Sequence, residues 1–184
     1  MDALLLSTAL VALAEIGDKT QLLAFVLAAR FRRPWTIIAG ILVATLVNHA
    51  LAAALGAWLT SQVPPQVMRW AVGGAFLAMA AWTLIPDQLD DGDAARTGLG
   101  VFGTTVVAFF LAEMGDKTQI ATVALAAQYA VLLPVVAGTT LGMMIANVPA
   151  VLVGERLAHR LPMLAVRRVA ALLFALLGVA VLLG

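Results

Sequence analysis

Two short stretches carry most of the chemistry this chain could perform. Residues 14–23 read AEIGDKTQLL, and residues 112–121 read AEMGDKTQIA. Each sets a Glu, an Asp and a Lys, followed by Thr and Gln, inside a run that is otherwise almost wholly apolar. On a continuous helix at about 100° per residue, Glu15 and Asp18 stand roughly 60° apart and one turn along, with Lys19 on the same face. Gly17 removes a side chain between the acids, lets backbone or an ion approach, and weakens the helix by up to about 1 kcal/mol relative to Ala. A break there would free carbonyl oxygens, which membrane interiors tolerate only where protein or a water cavity receives them.

An ionised side chain at the centre of a bilayer costs about 2.5–3.5 kcal/mol on insertion scales. Six of them need a reason beyond packing. Lys19 and Lys117 could serve only to neutralise two acids as buried ion pairs. Four carboxylates (Glu15, Asp18, Glu113, Asp116) against two lysines still leave a formal charge of −2. One divalent cation balances that charge, and so do two protons. Carboxylates this crowded titrate as a coupled group, so protons and a cation compete for the same oxygens. The chemistry expected is therefore exchange of a divalent cation for about two protons at a shared site.

The donor types narrow the ion. Glu15, Asp18, Glu113 and Asp116 are the expected metal ligands. The hydroxyls of Thr20 and Thr118 and the amides of Gln21 and Gln119 add oxygen donors, which suit Ca²⁺, Mn²⁺ or Mg²⁺. The chain has no Cys, and neither motif contains His, which argues against Zn²⁺ and Cu⁺. His49 and Asn147 each follow their Glu by 34 residues, and Asn48 adjoins His49. These three read either as interhelical hydrogen-bonding groups or as a secondary ion and proton site, together with Lys19 and Lys117. Glu155 beside Arg156 reads as an interfacial ion pair.

The elements that must hold these groups are membrane helices. Of 184 residues, 63% are hydrophobic and 11% charged, with a mean hydropathy of +1.03. A soluble domain is about half apolar and a quarter charged. The net charge of +1 and the absence of a basic run exclude a nucleic-acid partner; the lipid bilayer is the expected one. The N-terminal MDALLL lacks a basic leader, so no cleavable signal peptide is expected. Spans need about 20 apolar residues, which predicts six transmembrane segments near 3–29, 35–61, 66–86, 98–127, 131–158 and 164–184.

Sliding the sequence by 98 residues sets Glu15 on Glu113 and continues through Gly40/Gly138, Gly56/Gly154, Pro64/Pro162 and Arg69/Arg167. About 30% of positions between 13 and 76 match their partners, the mark of an internal duplication. Three spans per copy force the second copy to insert upside down. The expected fold is thus an all-α polytopic membrane protein of two inverted three-helix repeats, residues 1–86 and 98–184, joined by an acidic cytoplasmic loop at 87–97. Arg30, Arg32, Arg33, Arg96, Arg156, Arg160, Arg167 and Arg168 are assigned to loops on one side and Arg69 to the other, which makes the Arg-rich side cytoplasmic and both termini external. Inverted repeats of this kind bind substrate near the midplane where they meet. Gly40, Gly138, Gly73 and Gly74 read as close-packing sites between helices, and Trp35, Trp58, Trp70 and Trp82 as interfacial anchors.

Two copies of E-x-G-D-K-T, one opening each half, resemble the E-x-G-D-K-[ST] signature of a cation/proton exchanger family. That Gdt-type family includes the Golgi transmembrane protein linked to glycosylation and the bacterial Mne-type manganese exporters. The resemblance spans essentially the whole chain. It implies transport of Mn²⁺ and/or Ca²⁺ against H⁺, with Glu15, Asp18, Glu113 and Asp116 binding the ion. For a compact chain like this it implies Mn²⁺ export across a bacterial-type inner membrane, with no cofactor beyond the transported ions. The oligomeric state is left open.

Three other readings compete: a proton-coupled exporter of another substrate, a passive cation channel, and an intramembrane aspartyl hydrolase. The last suits the motif least, because each Asp is tied to a Glu three residues before and a Lys directly after. That is the pattern of a cage more than of a dyad sharing one proton, and no enzymatic activity is expected. Reporter fusions at the two ends test the topology: both should report an external location, and a cytoplasmic C-terminus would overturn it.

Overall fold

Long apolar runs punctuated by Pro and Gly fold here as helices throughout. The computed structural model describes residues 2–85, 99–153 and 163–184, and its regular elements are all α-helical. In chain order they are α1 (Asp2–Glu15), α2 (Lys19–Phe31), α3 (Pro34–Gln62), α4 (Pro65–Thr83), α5 (Gly100–Glu113), α6 (Lys117–Tyr129), α7 (Leu132–Val153) and α8 (Met163–Leu183). Pro34 and Pro65 open α3 and α4, where a missing N–H costs nothing and the fixed φ suits the first turn. Left-handed residues close α2 and α6: Arg32 and Ala130, both at φ 52 and again 98 residues apart. The acidic loop at 87–97, Arg96, and the Glu155, Arg156 and Arg160 assignments lie outside the described residues.

The expected segments 3–29 and 98–127 are not single helices. Each divides at its motif. Gly17 sits at φ 81 and Gly115 at φ 76, a region open to glycine at no steric cost. This corrects the picture of Glu15, Asp18 and Lys19 on one helical face: Glu15 closes α1, and Asp18 is the residue that precedes α2. By length and hydropathy three described helices could each cross a bilayer alone, within 34–62, 132–153 and 164–183. Helix α5 is apolar but only 14 residues long.

Glycines decide how closely the helices approach. A Cβ on Gly142 would meet the Thr8 carbonyl at 2.7 Å and the Ala12 amide at 2.8 Å; one on Gly138 would meet the Leu4 carbonyl at 2.5 Å. Helix α7 therefore lies against the backbone of α1, and the two run in the same direction. Gly40 of α3 abuts Phe102 and Thr105 of α5, the same contact shifted by 98 residues, since Gly138 abuts Leu4 and Ser7. Gly73 and Gly178 bring α4 and α8 together in opposite directions, Gly73 meeting Leu182 and Gly178 meeting Leu77. Gly74, expected to pack closely, instead faces open space. Its neighbour Gly73 occupies the contact, and 100° of helix turns Gly74 away.

Large apolar side chains remain exposed over the outside, among them Leu51, Leu133, Leu172 and Leu176. Lipid is the solvent for such a surface. Trp35, Trp58 and Trp70 are also exposed, near the ends of α3 and α4. Many polar side chains are inside. Ser7, Glu15, Asp18, Thr20, Asn48, His49, Glu113, Asp116, Thr118 and Asn147 are all buried, the reverse of a water-soluble fold.

Gly142→Val should lower the thermal stability of the detergent-solubilised protein by about 1–3 kcal/mol or more, because the added carbon meets backbone on α1. Gly74→Ala, with room for its methyl group, should leave the unfolding temperature unchanged or slightly raised. Equal effects of the two substitutions would contradict the packing described here.

Candidate functional site

Both motifs reach the same place. Helix α1 ends and α2 begins at one break; α5 ends and α6 begins at the other. At each break the Asp backbone N–H returns to the Glu carbonyl, Asp18 to Glu15 and Asp116 to Glu113, both at 3.1 Å. Asp18 and Asp116 are the N-cap residues of α2 and α6, in extended conformation, so each carboxylate stands at the positive end of a helix dipole. Asp18 also accepts a hydrogen bond from the Lys19 backbone N–H at 2.7 Å.

The glutamines hold the breaks in shape. The Gly17 N–H donates to Gln21 Oε1 at 2.9 Å, and the Gly115 N–H to Gln119 Oε1 at 2.7 Å. Gln21 Nε2 donates across to the Ala146 carbonyl of α7 at 3.0 Å. Gln119 Nε2 donates to Asn48 Oδ1 of α3, and Asn48 Nδ2 to the Phe110 carbonyl at 3.4 Å. The amide oxygens expected as ion ligands are thus engaged by glycine N–H groups, which are the amides that a helix break leaves without a partner.

Side chains from the two motifs interlock. Lys117 Nζ lies 3.0 Å from Asp18 Oδ1, and Lys19 Nζ lies 3.7 Å from Asp116 Oδ1. Each lysine therefore pairs with the aspartate of the other motif. Thr20 Oγ1 and Thr118 Oγ1 both donate to Glu15, one to each carboxylate oxygen. Glu113 is fully buried, and neither of its carboxylate oxygens has a hydrogen-bond partner among the described residues.

Of the four expected acids, Glu15, Glu113 and Asp116 each offer an oxygen within 4.8 Å of the others. Asp18 is outside that trio and faces Lys117. Three converging carboxylates with two hydroxyls beside them form a hard, oxygen-only donor set that suits a divalent cation. Crossed pairing of the lysines with the aspartates leaves the two glutamates as the formal surplus charge, which is what a divalent cation or two protons would neutralise.

The remaining expected groups divide. Asn48 bonds to Gln119 and so supports the second break. Asn147 donates to the Met143 carbonyl of its own helix at 3.1 Å, and its Oδ1 is buried without a partner. His49 is fully buried, with both ring nitrogens lacking partners, and is not part of the carboxylate cluster. One residue at the site was assigned elsewhere on sequence grounds. Arg167 was expected in a cytoplasmic loop, but it lies inside α8, and its Nη2 donates to the Gly17 carbonyl at 3.4 Å. The signal available was its match to Arg69 in the duplication.

Comparison with known proteins gives the family. A family model described as "Divalent cation/proton antiporter GDT1" matches residues 3–91 and 101–184. A protein of Vibrio cholerae serotype O1 that carries the provisional name "manganese exporter" is 52% identical over 98% of this chain and 90% of its own length. A GDT1-like protein of Synechocystis is 30% identical over 92% of this chain and 91% of its own length. GDT1-like protein 3 of Arabidopsis thaliana is 28% identical over 94% of this chain and 68% of its own length. No solved structure matches. The chain is a helical membrane protein and belongs to the GDT1 family of divalent cation/proton antiporters.

Proposed function

We propose that this protein exports Mn²⁺ from the bacterial cytoplasm in exchange for protons, using the oxygens of Glu15, Glu113 and Asp116 as the shared binding site. The observation that carries the reading is the convergence of these three buried carboxylates within 4.8 Å. Family membership supports divalent cation/proton exchange, and likeness to the Vibrio cholerae protein favours manganese. Ca²⁺ is the alternative ion for the same oxygens.

The cycle follows from charge. With the cation bound, the surplus −2 is neutralised and the site can be buried. When protons arrive from the outer side, they occupy Glu15 and Glu113 and release the ion. The Thr20 and Thr118 hydroxyls orient Glu15, and the crossed lysines hold Asp18 and Asp116 so that the glutamates carry the exchange. Asn147 and His49, buried with unpartnered polar atoms, are the groups that a hydrated ion path would satisfy.

The architecture proposed is six crossing segments: α1 with α2, α3, α4, α5 with α6, α7 and α8. Helix α4, at 19 residues, is about 28 Å long, near the hydrocarbon thickness. The parallel packing of α1 with α7 and the antiparallel packing of α4 with α8 agree with strict alternation across the bilayer. Alternation of six turns the second half upside down and leaves both termini on one side, which the positive-inside rule, applied to the Arg-rich ends, makes the outer one.

Purified protein in liposomes with an internal pH dye should move protons when Mn²⁺ is added, more than with Mg²⁺. Glu15→Gln and Glu113→Gln should each lower this flux by at least about tenfold, since even outer-shell losses cost 10–100-fold in metal affinity. Full activity in either variant would refute its role. Cation flux with no accompanying proton movement would replace exchange with a channel.

A further inference from the structure

The two motifs are alike in sequence but not in surroundings. At the first break Ile16 and Gly17 are half-buried, and Arg167 of α8 donates to the Gly17 carbonyl at 3.4 Å. At the second break Met114 is 57% exposed and Gly115 is exposed too. The ion pairs differ in the same sense. Asp18, at the first break, is held by a buried lysine at 3.0 Å. Asp116, at the second, is held at 3.7 Å by Lys19, whose side chain is 23% exposed.

Arg69 stands 98 residues before Arg167, where the duplication predicts its counterpart. It lies one turn inside α4, as Arg167 lies one turn inside α8. It makes no bond to Gly115. Its Nε is buried without a hydrogen-bond partner among the described residues. Its side chain instead lines a cavity of about 330 Å³ with Thr60, Val63, Ala127 and Gln128. A guanidinium carries five N–H donors in a fixed fork, and a buried one left unbonded is costly. A helix break supplies the matching acceptor, a carbonyl with no intrahelical donor.

We propose that Arg167 and Arg69 are paired positioning residues that close one helix break at a time. In the arrangement seen here, Arg167 bonds the Gly17 carbonyl and covers the first break, while Arg69 stands beside Ala127 and Gln128, at the far end of α6 from the second break, and leaves that break uncovered. In the opposite arrangement, α4 and α6 shift along one another until Arg69 bonds the Gly115 carbonyl, and Arg167 lets go. Each arginine also brings positive charge next to the Asp of the break it closes, so a cation is discouraged from leaving on the closed side. The proposal rests on the exchange reading above, because only a carrier needs two such arrangements.

The absence of cysteine makes the test direct. Single cysteines are placed in the full-length chain at Ile16→Cys or Met114→Cys. Their rates of reaction with a membrane-impermeant maleimide are measured in right-side-out and inside-out vesicles. Without further change, Met114→Cys should label faster than Ile16→Cys. Adding Arg167→Ala should raise labelling at position 16 several-fold and lower it at position 114; adding Arg69→Ala should not. Arg167→Lys should keep the parent pattern, since it retains a charged donor. If Arg167→Ala fails to accumulate, Arg167→Gln should shift labelling in the same direction. Unchanged rates, or rates that rise together at both positions, would overturn the proposal. Labelling needs no transport, so reciprocal shifts in a protein that exchanges neither Mn²⁺ nor Ca²⁺ for protons would defeat the exchange reading while leaving the paired arginines standing.

Discussion

The structure is organised around negative charge that its own lysines do not cancel. Four buried carboxylates meet two ammonium groups, and the pairing takes the aspartates and leaves the glutamates. In a medium with no water to screen it, such an excess demands a counter-charge or a proton. The rest of the fold serves to make that tolerable. Two helices are broken so that dipole ends face the acids, two glutamines bind the amides freed by the breaks, and two threonines bond to one glutamate. Glu113 alone is left bare of donors among the described residues.

Close approach of backbones makes this arrangement possible. Carboxylates on different helices come within 4.8 Å of one another only if the helices carrying them are held together nearby. Gly138 and Gly142 bring α7 against α1, and Gly40 brings α3 against α5. In lipid there is no hydrophobic force to draw helices together, so van der Waals contact at small residues and interhelical hydrogen bonds must do it. The Gln21 bond to the Ala146 carbonyl and the Gln119 bond to Asn48 tie each break to the long helix beside it.

Much of this could be read from the sequence, and the reasons for the rest are physical. The charge excess is a count over the two motifs and needs no coordinates. The helical, lipid-facing character follows from composition alone. Glycine in the motif announced a weak point, but not that the chain turns there at φ 81 and carries Asp18 onto a new helix. Which lysine meets which aspartate was not legible either, because four rotatable bonds leave the choice to the tertiary fold. The amides of Gln21 and Gln119 have equal claims as ligands or as caps by type; only the position of the glycine N–H decides. Arg167 was grouped with the loop arginines of the Arg-rich side, but the last helix begins at Met163 and carries it inward.

The lysines cross over. Each one answers an acid contributed by the opposite half of the chain, and neither half is electrically complete by itself. A three-helix fragment made alone would carry a buried lysine and a buried aspartate whose proper mates are missing. Such a fragment has one obvious remedy, a second molecule of itself facing the other way. Fusing the two into a single polypeptide guarantees that mate at every synthesis, and it frees the copies to drift apart, as an unmatched histidine at position 49 and asparagine at 147 already have.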